Sequence, residues 1–281
     1  MKNKIKKVVN CAQLKKIARP TISIFDSGVG GLSVYREVRR LLPNLRYIYA
    51  FDNDAFPYGE KSAEFIIERI IRFMKQIQQK HALAIAIIAC NTASTVSLPV
   101  LRARFKFPII GVVPAIKPAV KLTRNGIIGL LATKVTVNES YTRELIDRFA
   151  VDCKVEMIAS SELVELAEKK LYGQAISKEA LVRIVKPCLK MKEPPDTIVL
   201  GCTHFPLLST ELKEVFFEGT RLIDSGAAIA RRAVWLINDH QNLILTKNKN
   251  IAYCTKMDIE AEKLLSVLIN EDFYHLEKIS I

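Results

Sequence analysis

The sequence predicts an α/β protein made of two similar domains, each with a central, mainly parallel sheet flanked by helices. It also predicts a site in the cleft between them. Three observations carry this. Short aliphatic runs alternate with longer amphipathic ones along the chain. The strand-like runs are apolar nearly throughout, the pattern of parallel strands covered on both faces. The two halves also echo each other: an apolar strand runs into "ACNTAS" (89–94) in one and into "GCTHFP" (201–206) in the other.

Taken in order, strands are expected over 21–25, 47–51, 84–89, 108–113, 126–132, 155–159, 197–201 and 221–224. Helical periodicity fills most of the intervals. Over 61–80, Ile66, Ile67, Ile70, Ile71, Met74 and Ile77 recur at the spacing that places side chains on one helical face. No long linker divides the chain. The proline-containing stretch 111–126 marks one crossing between domains, and "IDSGAAIARR" (223–232) marks a second. Domain A therefore comprises 20–115 plus 225–281, domain B is the insertion 116–224, and residues 1–19 form a basic N-terminal extension.

With 49% hydrophobic and 25% charged residues, the composition is that of a soluble globular protein. No apolar run approaches the roughly 18 residues that cross a bilayer. The basic start lacks the apolar block of a signal peptide, so a cytoplasmic location is expected and no membrane partner. Six widely spread cysteines include no C-x-x-C pair, and four histidines give no H-x-x-x-H spacing. Neither a disulfide framework nor a metal site is expected. The net charge of +13 is dispersed and lacks interleaved aromatics. It favours small anions over direct nucleic-acid binding.

Cys90 and Cys202 are the chemically suggestive residues. Each follows a strand and precedes a helix start, where open α/β sheets bind ligands. Either alone is most simply a small buried hydrophobe. Together, across a cleft, two thiols can act on opposite faces of one carbon. A thiol has a reference pKa of about 8.5, so each cysteine needs charged neighbours to serve as acid and base. "SIFDSGVGGLSV" (23–34) supplies Asp26, ahead of a glycine-rich turn whose amides suit a carboxylate. The turn is not a G-x-G-x-x-G, because position 33 is serine. "DNDAFPYGEKS" (52–62) is a polar loop after the second strand. Glu162, Glu165 and Glu168 share a helix, and spacing alone does not choose between them.

"FDSGVGGLSV", "PYGEKS", "ACNTAS", "LGCTHFPLL" and "IDSGAAIARR", in this order, resemble the glutamate racemases, most closely the Gram-negative type. The resemblance covers about residues 20–280. It implies cofactor-independent interconversion of L- and D-glutamate, supplying D-glutamate for peptidoglycan, on a two-domain α/β fold. Cys90 and Cys202 match the two catalytic bases, the first acting on D-glutamate and the second on L-glutamate. Asp26 and His204 match the residues that assist them, and Glu168 matches a third helper. Ser27, Tyr58, Gly59, Asn91, Thr92 and Thr203 match substrate-binding residues.

The resemblance also implies regulation. The basic extension is similar to that of members activated by UDP-N-acetylmuramoyl-L-alanine, which points to segment 111–117 with Arg102. Some racemases of this family also bind and inhibit DNA gyrase. The competing readings are a racemase acting on aspartate and a binding protein whose cysteines merely pack.

Overall fold

The computed structural model describes residues 19–239, 245–246 and 248–281. The expected extension thus lies outside the described residues, except that Arg19 already belongs to the first strand. Strands β1 (Arg19–Asp26), β2 (Arg46–Phe51), β3 (Ile85–Ile88) and β4 (Ile109–Gly111) begin one sheet. A second sheet holds β5 (Ile127–Ala132), β6 (Lys154–Ala159), β7 (Thr197–Leu200) and β8 (Arg221–Ile223). The chain then returns to the first sheet with β9 (Leu245–Thr246), β10 (Ile251–Cys254) and β11 (Leu276–Lys278).

The strand orders are β11-β10-β2-β1-β3-β4 and β6-β5-β7-β8, with β9 beside β1. Among the described residues every pairing is parallel except β1 with β9, where Arg19 is in register with Thr246. All eight expected strands form. The three after residue 240 are not among the expected strands; β11 carries charges on exposed positions.

Side-chain alternation sorts the first sheet's residues onto two cores. Ile22, Ile24, Tyr47, Tyr49, Ile85 and Ile87 face helix α1 (Leu32–Leu41) on one side. Phe25, Ile48, Ala50, Ala86 and Ile88 face α2 (Ala63–Lys80) and α3 (Asn91–Arg104) on the other. Helix α2 starts where Ser62 Oγ accepts the amide of Phe65. Of its expected stripe, Ile66, Ile70, Met74 and Ile77 are buried and Phe73 joins them, while Ile67 and Ile71 are only half-buried. Each fully buried side chain of this size contributes about 1.5–3 kcal/mol.

The second sheet is covered by α4 (Ile116–Leu122), α5 (Lys134–Asn138) and α6 (Ser140–Phe149), and by α7 (Glu162–Leu171), α8 (Lys178–Leu189) and α9 (Ser209–Val215). Helices α10 (Gly226–Asp239) and α11 (Ile259–Asn270) close the first sheet's α1 face. The two crossings between sheets are tied together, since Ser225 Oγ donates to the carbonyl of Val113. Among the described residues, no helix is long and apolar enough to cross a membrane.

Candidate active site

Parallel strands in register bring their carboxyl ends together, and chemistry collects there. In the first sheet Phe25 stands opposite Ile88, so Asp26 and Cys90 emerge side by side. Cys90 is the N-cap of α3, its sulfur receiving the Ala93 amide at 3.5 Å. Ser27 Oγ lies 3.8 Å from the same sulfur. In the second sheet Cys202 emerges two residues beyond Leu200, the end of β7. Its sulfur is 3.8 Å from His204 Nδ1, and His204 Nε2 is 2.7 Å from Glu168 Oε1 on α7. Both cysteines are buried free thiols.

The electrostatics of the two sulfurs differ. Burial, and after it the charge of Asp26, push the Cys90 thiol well above its ordinary pKa. Burial also raises Asp26. The charge of His204 and the amides of Gly31 and Ser27 offset this only in part. Gly31 donates to Asp26 Oδ2 at 2.7 Å, while Oδ1 has no hydrogen bond of good geometry. Burial alone would depress His204. The hydrogen bonds and charges of Cys202 and Glu168 outweigh it and raise the imidazole well above 6.5. The raised imidazole is thus placed to hold a proton next to the Cys202 sulfur.

The glycine-rich turn also makes contacts across the seam between the sheets. A Cβ on Gly30 would stand 2.3 Å from His204 Nδ1, and one on Gly28 would stand 3.0 Å from Glu168 Oε1. The glycines allow the second sheet's histidine and glutamate to seat directly on the first sheet's turn. The turn does hold a carboxylate, but it is the protein's own: the Val29 amide lies 3.5 Å from Glu168 Oε1. Ser33 Oγ adds a bond across the same seam, to the carbonyl of Thr203.

A small cavity joins the two halves. It is lined by Ser27, Tyr58, Gly59, Cys90, Thr92, Cys202, Thr203 and His204, together with Phe56, Pro57, Thr133, Ser161 and Val164. Its free space is about 20 Å³, close to what one water molecule needs. Asp26 and Glu168 stand behind the lining, each against its own partner. Asn91 is buried on the first turn of α3, next to the lining and not part of it. Tyr58 lines the cavity, but its hydroxyl donates to Asp52 at 2.6 Å.

A family model described as Asp/Glu/Hydantoin racemase matches residues 27–233. A glutamate racemase of Yersinia enterocolitica is 65% identical over 263 residues, covering 94% of this chain and 92% of the relative. The chain belongs to the glutamate racemase family. A crystal structure of the Escherichia coli glutamate racemase, with L-glutamate and the activator UDP-MurNAc-ala, is 61% identical. It superposes with a TM-score of 0.91 over 93% of this chain and 98% of that one. A glutamate racemase isoform of Bacillus anthracis, 27% identical, superposes at 0.82 over 94% and 99% of the two chains. Membership makes the chain an amino-acid isomerase with the family's two-domain fold.

Against that family background, sequence reasoning passed over Thr133 and Thr136. Their hydroxyls lie 2.8 and 3.3 Å from Thr92 Oγ1, across the seam between the sheets. The available signal was "ATKVT" (132–136) directly after β5, a strand end like those carrying the cysteines.

Proposed function

We propose that this chain interconverts L- and D-glutamate by removing and returning the α-proton with two cysteines, without a cofactor. The observation that carries it is the placement of two free, buried thiols on one small cavity, Cys90 beside Ser27 and Asp26 and Cys202 beside His204. Cys202, whose sulfur faces His204 Nδ1, takes the α-proton of L-glutamate. Its S–H bond forms as the C–H bond breaks, and the electron pair stays on the α-carbon. Cys90, held as a thiol by burial and Asp26, then donates its proton to the opposite face. In the reverse direction the roles exchange, and Asp26 is the group that assists Cys90.

Glu168 holds the imidazole and keeps it protonated. Ser27, Gly59, Asn91, Thr92 and Thr203 bind the amino and carboxylate groups, and Thr133 adds a hydroxyl to the same wall. The space now present cannot admit glutamate, so the domains part for binding and close again around the substrate. Closure excludes water and strengthens every charge interaction that stabilises the carbanion.

The domains in this reading are 20–115 with 225–281, and 116–224, because each sheet draws its strands from one of these groups. UDP-N-acetylmuramoyl-L-alanine is the proposed activator, at 111–117 with Arg102. The choice of ligand is supported by the 61% identical relative crystallised with such an activator, and the location is the one the sequence resemblance implies. An activator there would favour the closed state.

The test is incubation of the purified chain with L-glutamate or L-aspartate, without pyridoxal phosphate, followed by chiral chromatography. D-glutamate should form far faster than D-aspartate. The reverse order would overturn the substrate, and a requirement for pyridoxal phosphate would overturn the chemistry.

A further inference from the structure

Asp52 takes no part in the chemistry above, yet it is fully buried and saturated with hydrogen bonds. Its carboxylate accepts from Arg69 Nε and Nη2, both at 2.6 Å, from the Tyr58 hydroxyl at 2.6 Å and from Thr255 Oγ1 at 2.7 Å. Its amide donates to the carbonyl of Asp26 at 3.1 Å. One residue at the end of β2 therefore binds a side chain from α2, one from the loop after β10, and one from the wall of the cavity. Its backbone also fixes the strand end that carries Asp26.

The cost of this arrangement argues for a role. A carboxylate withdrawn from water gives up its hydration, and well-packed apolar residues are often as stable as a buried ion pair. An Asp–Arg pair adds geometry: two parallel bonds fix the carboxylate plane as well as its position. Here the plane decides where the remaining lone pairs point, and they point at Tyr58 and Thr255. The Tyr58 phenol is raised well above its ordinary pKa, first by burial and then by Asp52, so it stays a donor at any working pH. Its proton is committed to Asp52 and not to a ligand.

We propose that Asp52 is a positioning residue that sets the Pro57–Gly59 wall of the cavity against Cys90, with Arg69 and Thr255 as its anchors. Tyr58 then shapes the site by where it is held, and its hydroxyl is the tether. The proposal deepens the racemase reading and rests on it only for its kinetic arm.

The experiment compares Asp52→Asn and Thr255→Val with the parent protein. Alkylation of Cys90 by iodoacetamide is followed by mass spectrometry of its peptide, with the fully buried Cys188 of the second sheet's core as internal control. KM and kcat for glutamate and a thermal melt are measured beside it. A loosened wall should speed Cys90 alkylation several-fold and leave Cys188 unchanged. KM should rise about tenfold, a displacement effect of the size expected for misplaced binding groups, with a smaller change in kcat.

Alkylation and KM at parental values in both variants, whatever the melt shows, would overturn the proposal. So would equal acceleration at Cys90 and Cys188, which would mean general loosening. If Asp52→Asn does not fold, Thr255→Val decides by the same criteria, since it removes one hydroxyl and keeps the side-chain shape. If the parent protein does not racemise glutamate, the alkylation ratio still decides the role of Asp52.

Discussion

Cys202 Sγ lies 3.8 Å from His204 Nδ1, while the opposite nitrogen of the same ring lies 2.7 Å from Glu168 Oε1. The ring is thus held from behind by a carboxylate and faces a thiol in front. A base oriented by a third group is a recurring device of nucleophile and acid–base sites. Here it prepares one of the two sulfurs. The other depends on a buried aspartate, so the two halves of the site are tuned by different means.

Glu168→Gln should keep the fold and lower kcat by about 100-fold, the lower end of acid–base contributions. It should also move the alkaline limb of kcat toward neutrality, because Glu168 is one of the groups that raise His204. The sign extends to stability. A histidine raised on folding stabilises the protein below its unfolded pKa, and that stabilisation is lost as pH rises through the folded value. In the variant the loss should begin at lower pH. Thermal melts and pH–rate profiles of the two proteins measure both effects.

Gly30→Ala should fold and fail to close. Its methyl would stand 2.3 Å from His204 Nδ1, a distance that real contacts do not reach. The histidine, and with it α7, must back away from the turn. Activity should fall more than tenfold, as expected when catalytic groups are displaced by about an ångström. The melting temperature should change little, since the turn sits at the seam and not within a core. Steady-state kinetics beside a melt separates these outcomes.

Asp26→Asn should trade activity for stability. The folded carboxyl has a raised pKa, chiefly through burial, so its ionisation opposes folding at neutral pH. Removing the charge should stabilise the fold by about 1 kcal/mol or more while lowering kcat. The gain belongs to the range above the unfolded value of 3.8. It should shrink as pH falls through the folded pKa and vanish below 3.8, where both states are protonated. Denaturant titrations at several pH values check this.

Much of the molecule could be read from the chain because its strongest signals are repetitive. Eight apolar runs became eight strands, and the echo of "ACNTAS" and "GCTHFP" placed both thiols on one cavity. What escaped depends on contacts between distant residues. Strands β9 to β11 follow the long excursion into the second sheet. There β9 pairs with β1, β10 with β2 and β11 with β10, and the pairings with β1 and β2 reach residues more than two hundred positions earlier. The spacing of the glycines did not show that Gly28 and Gly30 lie against Glu168 and His204, more than a hundred residues away. Asp52 was read only as part of a polar loop, since its partners Arg69 and Thr255 lie on other elements. Burial and pairing made these residues informative, and neither is written locally.

The central claim, that one sulfur removes the α-proton and another returns a different one, is tested most directly in deuterium oxide. The protein is incubated with L-glutamate, and both enantiomers are separated at early times and analysed by mass spectrometry. Two bases predict deuterium at the α-carbon of nearly all the D-glutamate formed, and little in the remaining L-glutamate, because each thiol carries its own solvent-derived hydron. D-glutamate that retains the substrate's hydrogen would show one group moving a single proton across the carbon, and would contradict the account.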